Sequence, residues 1–473
     1  MAIINARSPH YISITNASIA YATLDISIYD GNINGQPTVN YSLKKYIVGT
    51  NTTVSFEISE LLKDFLDVEF NGNYNESAEA NGACKWVDTT IKAFNVSAVQ
   101  VGSSVNTVGL TLNSYGYFEE GSSFSLSDES LIVSDGDIFL PKFGDSNIAI
   151  YTGNNPTVSL LDSSGTSVAS SSFTSSNEST EQIEYVSLYP ELVTNLGFDD
   201  ATDWTIQSND VIEDGLLKFG GQSGSRYPNT FTPVTGINYI LNFTITEVNS
   251  GFLNGVYDGS GGINLTGRID KVGDYSVQYT QTSTTSNLVS FFSLSGFNGA
   301  MDNVSVKEVY EVTKVSVTDD NKTRTRDVKQ VEECKFEPHK VTFVNKNGVL
   351  QDMHFFKKST DKMTTKRDNY NSNIIKSDNT YSINQHTKVD FNITANESVK
   401  LSTGFLNEST NESFKQLMLS EKVWVTKAFQ NSTLVLPINI KTSNITYKTS
   451  LNDRLVEYSI EFENSYNSIN NIR

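Results

Sequence analysis

Two stretches decide how this chain is organised: ELVTNLGFDDATDWTI (Glu191–Ile206) and FNGAMDNVSVKEV (Phe297–Val309). Between them, short apolar runs are separated by Gly, Asn, Asp and Ser. In NYILNFTIT the apolar side chains fall at Tyr239, Leu241, Phe243 and Ile245. A period of two puts all four on one face of a β-strand. Strands are expected at Trp204–Ile206, Leu216–Phe219, Tyr239–Thr246, Phe252–Tyr257, Tyr275–Tyr279, Leu288–Leu294 and Met301–Val306. Residues 188–309 therefore read as a self-contained antiparallel β-sandwich. EQIEYVSL precedes it and YEVTKVSVTD follows it, as two host strands around an insertion. Insertions are tolerated at exposed loops whose ends lie close together.

Outward from this segment the chain stays β-rich. In residues 1–184 the run YISITNASIAYATLDISIYDG alternates at Ile12 and Ile14, Ile19 and Tyr21, then Leu24, Ile26 and Ile28. DGNINGQP (Asp30–Pro37) is dense in turn formers and reads as a loop. One short helix interrupts: in SELLKDFLD, Ser59 is placed to cap a first turn, with Leu61, Leu62, Phe65 and Leu66 on one face. Residues 162–180, DSSGTSVASSSFTSSNEST, lack bulky side chains and read as a linker or long exposed loop.

Residues 310–473 repeat the theme. HKVTFVNKNGVLQDMHFFKKSTDKM predicts strand, turn at Asn345–Gly348, strand, because Asn-Gly between alternating runs is a strong hairpin signal. KVDFNITANESVKLSTGF predicts a further strand pair. NESFKQLMLSEKVWV predicts a helix, with Phe414, Leu417 and Met418 on one face, and then a strand. That order echoes residues 59–70. The fold class expected is mainly β: several antiparallel sandwiches with two short helices.

Composition narrows the functions. Apolar residues make up 37% of the chain, with 22 Tyr and 26 Phe, enough to build cores. The net charge of −19 is uneven: residues 1–310 hold 12 basic against 34 acidic side chains, and residues 311–473 hold 23 against 20. The acidic part repels polyanions, so nucleic acid is not an expected partner. The near-neutral part suits packing against another subunit. No apolar run approaches the length of a membrane span, and the N-terminus MAIINARSPHYISIT shows no secretory signal. Cys84 and Cys334 lie far apart and form no metal motif. They are expected to be two free, partly buried thiols.

No catalytic constellation stands out. GxSxG, HExxH and phosphate-binding glycine loops are missing, and His10, His339, His354 and His386 are scattered. Asp135 with Asp137, and Asp199 with Asp200, are carboxylate pairs of the kind a glycosidase needs. Both sit in turn-like sequence, where Asp ordinarily bonds its own backbone. Asp199, Asp200 and Asp302 are the candidate ligands for one structural calcium, because hard oxygen ligands would converge where the first and last strands of the insert pair. No other cofactor is expected. Tyr227 and Tyr257, in Gly/Ser/Pro-rich sequence, are candidates to stack on a sugar ring, with Arg226 as a hydrogen-bond donor to sugar hydroxyls. Trp204, at a strand start, reads as core. Lys366 and Arg367, in STDKMTTKRDNY, are candidate donors in an inter-subunit contact.

Two resemblances add to this. Asn195, Gly197, Phe198, Asp199 and Trp204, matched by the closing Asp302-Asn303-Val304-Ser305-Val306, resemble the ends of jelly-roll carbohydrate-binding modules. Here Asp199 stands where that pattern has Glu. The flanks, in CKFEPHKVTFVNKNGVLQDMHFFKKSTDKMTTKRDNY and YKTSLNDRLVEYSIEFENSYNSINNIR, are similar to structural proteins of tailed bacteriophages of Bacteroidetes-type hosts. The resemblances imply a virion component of the tail, baseplate or fibre region, assembled in the host cytoplasm. Its expected partners are other virion proteins, copies of itself in a ring or shaft, and a host-surface glycan held by the insert. No catalysis and no membrane insertion are implied. The alternatives are a polysaccharide-degrading enzyme with an appended binding module, and a bacterial surface adhesin.

Overall fold

The computed structural model describes residues 2–30, 37–72, 74, 82–117, 123, 129–142, 144, 146–174, 183–193, 197–198, 202–258, 264–282, 289–294, 296–320, 322–333, 335–429, 432–444 and 455–469. The chain is mainly β, built from several largely antiparallel sheets with two short helices, Ser59–Lys63 and Asn411–Leu419.

The N-terminal sheet runs, in spatial order, Ala2–Asn5, Val105–Leu112, Cys84–Phe94, Tyr21–Tyr29 and Tyr41–Tyr46. The period-two pattern of residues 21–29 works as expected. Ala22, Leu24, Ile26 and Ile28 face inward and pack with Ile14, Val54, Phe56 and Leu62. Ser59 is not the helix cap. It is the first helical residue, and its N–H donates to Glu57 Oε1 at 2.8 Å. Glu57 covers the orphaned amide from two residues back, a role any carboxylate near a helix start can take. The residues after this helix, 64–70, form no strand, so the echo with the C-terminal helix and strand stops at the helix. At the second helix the strand Val423–Phe429 does follow, and Phe414 and Leu417 are fully buried.

The Ser/Thr-rich stretch is not simply a linker. Ser167–Ser172 pairs antiparallel with Thr157–Leu161. The turn between them is closed by Asp162, whose Oδ1 accepts the N–H groups of Ser164 and Thr166 at 2.8 Å, with Gly165 at φ +83°. A strand on a sheet edge needs only backbone pairing and one partly buried face. Val168 and Ala169 supply that face. Residues 175–180 lie outside the described residues.

The segments on either side of the insert are woven together. Thr157–Leu161 pairs with Lys314–Thr318, which pairs with Thr323–Val331, which in turn pairs in parallel with Ile138–Pro141. One sheet thus draws strands from both sides of residues 188–309. A shared core extends the weave: Trp86 and Leu110, Ile132 and Ile183, and Val344, Leu350 and Trp424 pack together. The C-terminal sheet runs Leu350–Phe355, His339–Val344, Val423–Phe429, Ser432–Ile440, Leu455–Asn464, Lys388–Asn407, Thr360–Asn371. The hairpin at Asn345–Gly348 is as expected. The expected strand pair in KVDFNITANESVKLSTGF is instead one strand of 20 residues, Lys388–Asn407, with a register shift between Ser402 and Phe405. The shift absorbs the irregular stretch without a turn.

The insert forms two facing sheets. One runs Trp204–Thr205, Gly224–Pro228, Ser290–Ser293, Gly255–Tyr257. The other runs Val211–Glu213, Leu216–Gly220, Asn298–Glu308, Asn238–Ser250, Gly273–Thr280. Tyr239, Leu241, Phe243 and Ile245 all point into the core between them, together with Phe198, Trp204, Phe291 and Met301. The opening and closing stretches meet. The N–H of Leu192 donates to Val306 O at 2.9 Å, and the Glu191 carboxylate accepts from Ser305 Oγ at 2.6 Å and from Val306 N at 2.6 Å. At the root, the rings of Tyr189 and Tyr310 stack with centroids 5.3 Å apart. Burial pushes the Tyr189 phenol up to about 12, so it stays neutral at physiological pH.

Candidate functional site on the outer face of the insert

Register across the four-stranded sheet assigns its faces. Arg226 lies opposite Phe291 and Phe291 opposite Val256, and all three are buried against the other sheet. The next row has the opposite orientation. Thr205 pairs with Tyr227, Tyr257 pairs with Ser290, and continuing the Arg226–Phe291 register by one residue sets Tyr227 opposite Ser290. Neighbours in such a row project from one face. The outward row is thus Thr205, Tyr227, Ser290, Tyr257. Two strand spacings, about 9–10 Å, separate the tyrosine backbones.

Both tyrosines are half-buried. Tyr257 is braced: its ring meets Phe292 edge-on at 5.8 Å, and Asn264 Nδ2 donates to its hydroxyl at 3.2 Å. Between the tyrosines in the row, Ser290 is 3% exposed, and among the described residues its hydroxyl has no hydrogen-bond partner. A buried hydroxyl without a partner is disfavoured by about 1–3 kcal/mol. Two aromatic rings on one face, with the Thr205 side chain beside Tyr227, can hold a ligand with flat C–H surfaces and polar edges. A saccharide has that chemistry.

Arg226 is not part of this face. It is fully buried and paired with Asp210, itself fully buried, through Nε at 2.6 Å and Nη2 at 2.9 Å. The remaining donors reach Gly224 O, Gln222 O and Ser293 Oγ, and the guanidinium lies 4.9 Å from the Phe219 ring centroid. Asp210 also accepts the N–H groups of Gln207 and Gly220. The reason is geometric. Residues 224–228 form a strand, not a loop, so neighbours 226 and 227 point to opposite faces.

Of the calcium candidates, Asp199 and Asp200 lie outside the described residues. Asp302, on the Asn298–Glu308 strand, accepts the N–H of Asn303 at 2.7 Å. Among the described residues no three His, Cys, Asp or Glu side chains gather as a metal-binding group. The carboxylates of Asp135 and Asp137 are each engaged, Asp135 by Arg326 at 2.7 Å and Asp137 by Asn407. Lys366 and Arg367 are exposed on the strand Thr360–Asn371, with Arg367 3.5 Å from Asp390. Cys84 is buried, and Cys334 lies outside the described residues.

Ser290, Phe292 and Thr205 were not singled out in the sequence. Their only signal is strand register, which a single strand's pattern does not carry. No protein-family model matches the chain, and no curated protein matches it.

Proposed function

We propose that this chain is a structural protein of a tailed bacteriophage particle, in the tail, baseplate or fibre region, whose inserted sandwich docks on a host-surface glycan. The observation that carries the glycan part is the row Thr205–Tyr227–Ser290–Tyr257, which sets two half-buried aromatic rings on one face, two strands apart, with the buried Ser290 between them. The assembly part is supported by the resemblance of the flanking segments and by a parent built of interwoven sheets, a surface suited to packing. Many copies on one particle would convert weak sugar contacts into avidity.

The test is titration of the full-length protein against purified host-surface polysaccharides. Tyr227→Ala and Tyr257→Ala are each expected to weaken binding roughly two- to tenfold, from the 0.5–1.5 kcal/mol that a specific aromatic contact contributes. Lys366→Ala, distant from the row, leaves it unchanged. Wild-type protein that binds no saccharide in a host-derived panel sinks the glycan reading. Antibody labelling that never decorates the tail of intact particles sinks the virion reading.

A further inference from the structure

We infer that the strand Thr360–Asn371 is a self-complementary edge through which two copies of this chain pair, joining their C-terminal sheets about a two-fold axis at Thr365. This extends the assembly part of the proposed function and does not depend on glycan binding.

Thr360–Asn371 is the last strand of its sheet. It pairs with Lys388–Asn407 on one side, and among the described residues no strand covers the other. Eleven of its twelve residues are exposed. Its far half has little support. The neighbouring strand is backed by Leu455–Asn464 only from Ser398 onward, and by Ser468–Ile469 only at Thr394 and Ala395. Among the described residues, 368–371 and 388–391 are therefore a two-stranded ribbon. An isolated ribbon of two strands is marginal in water, and three or more are needed for independent stability. The ribbon exposes large apolar side chains, Tyr370 at 52% and Phe391 at 49%, and the same edge strand exposes Met363 at 63%. An unpaired edge of this length is a template for a further strand.

Charge selects the partner. In an antiparallel pairing of TDKMTTKRDNYN with itself, centred on Thr365, each Lys362 stands opposite the other copy's Asp368. Thr365 meets Thr365, a favourable cross-strand pair, and Arg367 meets Met363. A slip of one residue one way loses both ion pairs. A slip the other way sets Asp361 against Asp368 and Lys362 against Arg367, and like charges directly opposite destabilise. Cations along an edge ordinarily discourage pairing. Here the acidic counterpart lies six positions along the same strand, so a second copy supplies what an unrelated strand does not. The pairing would turn the ribbon into four strands and cover Met363 and Tyr370.

The experiment uses the full-length chain. Sedimentation should give twice the 52.2 kDa chain mass for the wild type. Lys362→Asp alone, or Asp368→Lys alone, should weaken dimerisation at least tenfold. The double swap, which restores opposite charges across the axis, should recover it, showing that the single variants were folded. Thr365→Cys in a Cys334→Ser background should cross-link as a dimer under mild oxidation. A wild-type monomer at all concentrations overturns the inference. So does a dimer that the single swaps leave unchanged, or a double swap that fails to restore pairing while circular dichroism shows native strand content. Saccharide binding by the same samples is a separate readout, so failure of the glycan reading is distinguishable from failure of the dimer.

Discussion

Arg226 shows how one residue changes meaning with its neighbours. In the sequence it is a cation beside a tyrosine in Gly/Ser/Pro-rich surroundings, a natural hydrogen-bond donor to sugars. In the fold its guanidinium and Asp210 complete each other out of solvent, and all five N–H donors find acceptors. Removing one member leaves a buried charge without its counterpart, which costs about 3–5 kcal/mol. Arg226→Ala is therefore expected to lower unfolding free energy by that amount in chemical denaturation. Replacing both members together with apolar residues of similar volume is expected to be far less damaging. If Arg226→Ala unfolds like wild type but loses saccharide affinity, the buried-pair assignment is wrong. Tyr227, one residue on, faces outward, and its truncation should hardly change stability.

Among elements, the hairpin His339–Val344, turn, Leu350–Phe355 was legible from Asn-Gly between alternating runs, because turn chemistry is local. What the hairpin touches was not legible. Gly348 adopts φ +80°, and a Cβ there would come within 2.8–2.9 Å of the Asn113 backbone. The turn is pressed against a loop more than two hundred positions earlier, and Tyr115 N donates to Lys346 O at 3.1 Å in the same contact. Gly348→Ala combines backbone strain of about 1–3 kcal/mol with a clash. It should lower the thermal midpoint, whereas Gly165→Ala, with open space around its Cβ position, carries only the strain. Equal effects of the two substitutions would refute the close approach. The Ser167–Ser172 strand teaches the reverse lesson. A segment without bulky residues reads as linker, yet backbone pairing at a sheet edge asks little of side chains.

At the scale of the whole molecule, the insert leaves and re-enters the host where Tyr189 and Tyr310 stack, and Tyr310 Oη donates to Leu188 O at 3.4 Å. Replacing residues 190–308 by a short Gly/Ser linker should therefore leave a folded host with cooperative unfolding. The core formed by Trp86, Ile132, Val344 and Trp424 contains no residue of the excised segment. An insoluble or molten remainder would show that the sandwich is an integral part of the host. The same interweaving predicts that cutting the chain at residue 310 into halves fails, because Thr157–Leu161 would lose its partner Lys314–Thr318.

The sequence by itself determined that the chain is β-built, that short helices lie near Ser59 and Asn411, that residues 188–309 carry matched ends, and that Trp204 is core. Each of these rests on periodicity or turn chemistry within a few neighbours. Only the tertiary structure decided that one sheet takes strands from both sides of the insert, that Arg226 turns inward while Tyr227 turns outward, and that Ser290 stands between two tyrosines distant in the chain. Those outcomes depend on which strands become neighbours and in what register. Pairing is a long-range choice, settled by the packing of all the cores together, and a strand's own sequence specifies its two faces but not what will lie beside it.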